Sequence, residues 1–254
     1  MQLKFRDQFL AKWKEHFAGA ELPLTFQYTD NGIQAEPALP SGRERCFIHM
    51  LQHVRAGHSL RFFARSFACG GAKYYTGFTN HLRADINEFL SCGEGEVKGE
   101  RYKQSPELAA LSLAQMPWYD APAQHLVFKR WDKLDEHDEP EVVIFFATPD
   151  ILAGLFTLAG FDEPNALDNV ISPFGSGCAS IIQFPYAEVL AGRNRAVIGM
   201  FDVSARPWVN HRTLSFAVGM ARFERMVNNM SESFLTTPAW AQVRKRIRED
   251  KYES

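Results

Sequence analysis

Two of the four cysteines in this 254-residue chain stand beside glycines, Cys69 opening "CGGAKYYTGF" and Cys178 closing "PFGSGC". Glycine lets a backbone approach a ligand closely, and a thiol at a helix N-terminus meets free N–H groups that favour anions and lower its pKa. The same pattern also suits a tight turn beside a small core residue, because free cysteine is among the most buried residue types. Thiolates ligate zinc and iron–sulfur clusters, and Cys46, Cys69, Cys92 and Cys178 could complete one such centre. None has the two-residue spacing of a zinc ribbon or ferredoxin, so the fold would have to assemble the site. A narrower option is a zinc triad of Cys46, His49 and His53, spaced i, i+3 and i+7 on one side of a predicted helix.

A second chemistry needs no metal. Asp202 and Arg206 interrupt an otherwise apolar stretch, "GMFDVSARPWV", and buried charges need partners. Either they pair with each other, or Arg206 faces a pocket and pairs with a small anionic ligand. Gly70, Gly71, Gly175 and Gly177 would form the backbone wall of that pocket, with Lys73 and Tyr74 beside them. The same lysine and tyrosine would equally suit the rim of a strand end. No Ser-His-Asp order, Walker loop, HExxH or GxSxG pattern occurs, and the acidic residues of "GEGEVKGE" read as solvated, so hydrolase chemistry has no positive support.

The elements that must position these residues follow from periodicity. Leu10, Trp13 and Phe17 predict an opening helix, "LPLTFQYT" a strand, and Ser41 with Glu44 a capping box before a helix reaching about Gly57. "SLRFFARSF" reads as a strand delivering Cys69, residues 79–104 as a loop or irregular hairpin, and Ser105-Pro106 as a helix start. "EVVIFFATPD" predicts a buried strand running into a helix at Thr148-Pro149, and Leu214 to Met230 repeats that design. Pro185 should kink or restart the helix after Cys178. The expectation is an α+β fold, with a mixed-sheet α/β arrangement as the alternative, in one elaborate domain bearing a strand–helix repeat. Its halves are residues 1–132 and 141–254, joined near the acidic turn at 133–140.

Composition narrows the partners. Apolar residues make up 46% of the chain, including 21 Phe, which favours a filled core over disorder. A net charge of −2 gives no footing for nucleic acid, and the one dense basic run, "QVRKRIREDK", reads as a solvated helix end. No apolar run approaches the roughly 18 residues of a membrane span, and the opening segment lacks a signal-peptide core. A cytoplasmic protein with free thiols is expected. Its oligomeric state is left open, since periodicity marks no apolar dimer face.

In their order along the chain, "ERCFIHMLQHVRAG", "CGGAKYYTGF", "PEVVIFFATPD", "GSGCASIIQFPYAEVLAG" and "DVSARP" resemble the domain of unknown function 169 family of bacteria and archaea, over about residues 20 to 235. The resemblance brings no established reaction. It implies that Cys46, Cys69 and Cys178 belong together, on positions where members of the family carry cysteine, with Cys92 outside the set. The family's occurrence in anaerobes would suit an oxygen-sensitive iron–sulfur cluster, and three cysteines would leave one iron open to water or substrate. The expectation is therefore a redox-type metal centre, with the metal-free anion pocket and a protein-interaction module with core cysteines as alternatives.

Overall fold

A computed structural model describes residues 1–31, 35–39, 46–93 and 97–250. The predicted capping box at Ser41 and Glu44 lies outside them. The first half begins with helix α1 (Leu3–His16), strands β1 (Leu24–Thr29) and β2 (Glu36–Pro37), helix α2 (Phe47–Arg55) and strand β3 (Leu60–Phe62). Short helices α3 (Gly70–Tyr75) and α4 (Ile86–Leu90), helix α5 (Pro106–Ala114) and strand β4 (His125–Arg130) complete it. Strand β5 (Val142–Ala147), helix α6 (Pro149–Ala159) and strand β6 (Val170–Ile171) open the second half. A π turn (Ala179–Gln183), helix α7 (Phe184–Leu190), strands β7 (Ala196–Gly199) and β8 (Leu214–Gly219), and helices α8 (Met220–Asn229) and α9 (Pro238–Asp250) follow.

The strands form one eight-stranded mixed sheet in the order β2-β3-β4-β1-β5-β8-β7-β6, which makes the fold α+β. Read outward from the centre, each half has the same topology. The first strand lies innermost and pairs antiparallel with the fourth, the fourth antiparallel with the third, and the third parallel with the second. The innermost strands β1 and β5 are themselves antiparallel, so the halves are related by an approximate two-fold axis through the sheet. The predicted repeat of β5–α6 and β8–α8 is thus superseded: those strands are neighbours within one half, and the true repeat unit is four strands long.

Strand β5, apolar at every position, is buried on both faces as a central strand must be. Val142, Ile144 and Phe146 enter one core with α2, α3 and the π turn, while Val143, Phe145 and Ala147 enter the other with α1, α6, α8 and α9. Strand β3 is shorter than its aromatic run suggested, and Cys69 therefore arrives seven residues beyond it as the cap of α3. Residues 86–90 form a helix where a loop or hairpin was expected, and the returning chain docks on it through the Tyr102 and Lys103 amides, which donate to Leu90 O. The π turn widens the helix just before Pro185, which has no N–H to continue the α ladder. No helix among the described residues is long and apolar enough to cross a membrane.

Candidate functional site

The duplicated topology sets equivalent helices on one face of the sheet. In each half a helix joins the second and third strands, α2 in the first and the π turn with α7 in the second. Cys46 caps α2 and Cys178 precedes the π turn, so the two thiols hold corresponding positions. Their helix starts touch: a β-carbon on Gly177 would stand 3.5 Å from Ile48 Cγ1. Cys69 joins them from the cap of α3.

The three thiols act on one another. Burial raises the Cys46 thiol, Cys69 and Asp202 add to the rise, and the backbone N–H groups of His49 and Ile48 oppose it. Cys178 is buried and pushed up further, again by burial first and then by Cys69, Cys46 and Asp202. Apart from burial and backbone groups, the leading influences on these two thiols come from other acids. Cys69 is exposed and forms the open side of the group. Cys92 is exposed beside Ser91 at the end of α4 and takes no part among the described contacts.

Asp202 stands with them, only 5% exposed. Its Oδ1 accepts from Tyr102 Oη at 2.9 Å, from Ser204 N at 3.0 Å and from Ser204 Oγ at 2.8 Å. Its Oδ2 accepts from Gly177 N at 2.9 Å, which ties the approach to Cys178 directly to the carboxylate. Asp202 and Arg206 form no ion pair among the described contacts. The Arg206 guanidinium donates to the carbonyls of Thr213, His211 and Asn210, clamping the 210–213 turn, and is directed neither at Asp202 nor at the glycines.

The four glycines divide. Gly177 and Gly175 are demanded by packing, since β-carbons there would meet Ala205 Cβ at 2.7 Å and the Phe184 ring at 2.8 Å. Gly70 faces open space, and a β-carbon on Gly71 would make ordinary contacts with Tyr75 and with Cys69 Sγ at 3.7 Å. The cavity touching Gly175 is about 50 Å³ and bounded by Tyr75, Tyr102, Met116 and Phe174, without Arg206. Lys73 donates its amide to Cys69 O, and Tyr74 packs against Trp118 with the rings tilted by 35° and their centroids 4.7 Å apart.

The zinc triad is not assembled. His49 lies against the Trp208 ring and His53 against His58. Among the described residues no three His, Cys, Asp or Glu side chains are placed to hold one metal ion. Tyr102 and Ser204 escaped sequence reasoning. Tyr102 comes from a charged, aperiodic stretch, and only the docking of that stretch on α4 brings its hydroxyl to Asp202.

A family model, DUF169, described as uncharacterised ArCR, matches residues 23–229. No curated protein and no solved structure matches the chain.

Proposed function

The chain belongs to the DUF169 family, and from that premise and the convergence of its thiols we propose that Cys46, Cys69 and Cys178 bind a soft, cationic polynuclear centre of the iron–sulfur type. The observation carrying this reading is electrostatic. Cys69 and the buried Asp202 both act on the thiols of Cys46 and Cys178, from both halves of the fold, and no cationic side chain is among the leading influences on those two thiols. Thiols held protonated by burial ionise when a metal binds them, and thiolates choose soft metals over hard ones.

A single metal ion is not the proposed occupant, since among the described residues no three ligating side chains are placed to hold one. The thiols are near enough to raise one another's pKa, yet are not gathered around a single ion. In a cubane iron–sulfur cluster each thiolate binds a different iron, so the sulfurs stand farther apart than the ligands of one zinc. When bound, such a cluster supplies one-electron chemistry. The chain's own residues hold the sulfurs at helix starts, where the His49 and Ile48 amides favour the thiolate of Cys46. They also bury Cys178 while leaving Cys69 on the open side, and they hold the Cys46 and Cys178 protons until metal displaces them.

Anaerobic reconstitution with ferrous iron and sulfide tests the proposal. Iron and sulfide should bind with a broad visible absorption, which each of Cys46→Ser, Cys69→Ser and Cys178→Ser reduces and Cys92→Ser leaves intact. A colourless, iron-free wild-type protein, or equal damage from Cys92→Ser, would sink it.

A further inference from the structure

We infer that the cavity between α5 and residues 174–176 is a binding site for a small apolar molecule of about two heavy atoms, such as a diatomic gas or a short hydrocarbon. Its walls alone support this, independently of any metal.

One face of α5 builds the cavity. Ala109, Ser112, Leu113 and Met116 recur at the three-four spacing of a helix stripe and look across about 50 Å³ to Tyr102 and Phe174. Ala109 is fully buried and brings only a methyl group to the wall. Phe174, 49% exposed, forms the solvent side.

The polar residues of the wall spend their polar atoms elsewhere. Tyr102 Oη donates to Asp202 Oδ1 at 2.9 Å and accepts from Ser204 N at 3.1 Å. The Tyr75 hydroxyl meets the Ser176 side chain, whose Oγ accepts from Ala179 N at 3.1 Å. Lys103 Nζ lies over the Phe174 ring, 5.4 Å from its centroid. Among the described contacts, Ser112 alone brings a hydroxyl with no partner. A buried water needs two to four polar partners, so one hydroxyl holds it poorly, whereas apolar cavities take up apolar guests. Benzene fills an apolar cavity of about 150 Å³, or about 25 Å³ per carbon, and on that scale this cavity suits about two heavy atoms.

The position gives such a guest a use. Tyr75 is the partition between the cavity and the thiols. A β-carbon on Gly71 would stand 3.5 Å from Tyr75 Cε2 and 3.7 Å from Cys69 Sγ, so ring and thiol flank the same point. Ser176, in the same wall, precedes Cys178 by two residues. A guest is therefore held one aromatic ring away from the thiol group, in a chamber that excludes ions by its lack of polar partners.

The test follows the methyl signals of the metal-free full chain by nuclear magnetic resonance under rising xenon pressure, xenon being an apolar atom of suitable size. The methyl signals of Ala109, Leu113 and Met116 should shift and saturate, while those of Leu155 and Leu158, in the core on the other face of the sheet, should not saturate. Ala109→Val adds two carbons to the wall and should abolish the saturable shift. Ethane should compete with xenon, and benzene should not. No saturation at the cavity methyls of the wild type, saturation kept in Ala109→Val, or competition by benzene equal to that by ethane overturns the assignment. Should Ala109→Val not fold, Ser112→Val fills the same space from the next turn of α5 and decides the matter. Because the chain carries no metal, a failure of iron uptake leaves this site standing, and a failure of xenon binding leaves the thiol reading standing.

Discussion

Gly177→Ala should destabilise the protein at the junction of its two halves. The added β-carbon would lie 2.7 Å from Ala205 Cβ and 3.1 Å from Met200 Sδ. Carbon atoms pack best at about 3.5–4.0 Å, so the Ala205 contact is too close by about 1 Å. Met200 can swing aside, but Ala205 Cβ hangs directly on the backbone. Its turn cannot retreat without stretching the 2.9 Å bond from Gly177 N to Asp202 Oδ2. Overpacking by one methyl costs about 1–3 kcal/mol, and this anchored site should cost about 2 kcal/mol. With a urea slope of about 3 kcal/mol per molar, the unfolding midpoint falls by about 0.7 M. Gly70→Ala is the control, because nothing lies within 4 Å of its added carbon. In the first turn of α3 that change should be neutral or stabilise by up to about 1 kcal/mol. Equal midpoints for Gly177→Ala and wild type, or an equal loss for both variants, would refute this account of the glycines.

Other outcomes follow from the same contacts. In metal-free protein, iodoacetamide should modify the exposed Cys69 and Cys92 well before the buried Cys178, as read by peptide mass spectrometry; equal rates would contradict the packing. Because burial and neighbouring acids raise the Cys46 and Cys178 thiols, the folded chain holds those protons longer than the unfolded chain. Stability is then full below the ordinary thiol range and falls as pH rises through it, a slope that the double Cys46→Ala, Cys178→Ala variant should flatten in urea titrations. Tyr102→Phe removes a hydrogen bond to a carboxylate at a half-buried site and should cost about 1.5 kcal/mol by the same assay; no change would mean that the bond contributes nothing. Burial would raise Glu188, but Arg195 and Arg193 outweigh it and hold its pKa down at about 2. Its contribution is present above the ordinary carboxylate range and lost as pH falls toward that value, so Glu188→Gln should unfold with a shallower acid limb.

What the sequence by itself determined is local. The central strand "VVIFFA", the Thr148-Pro149 and Ser105-Pro106 helix starts and the interruption at Pro185 were all legible. Period, cap chemistry and a missing N–H act within a few turns of chain. The kinship of Cys46, Cys69 and Cys178 was legible only through the resemblance, because no spacing along the chain joins them. The tertiary structure decided the rest. The four-strand duplication went unseen because it lies in strand order, and corresponding positions need not share residue types. The partners of Arg206 were not legible, because they depend on which carbonyls a turn presents, and here the 210–213 turn presents three. Tyr102 reaches Asp202 across a sequence separation of 100 residues, and Gly177 must be glycine because Ala205 comes to lie against it. Contacts of that range are set by how a sheet closes its two halves on one another, and no periodicity records them.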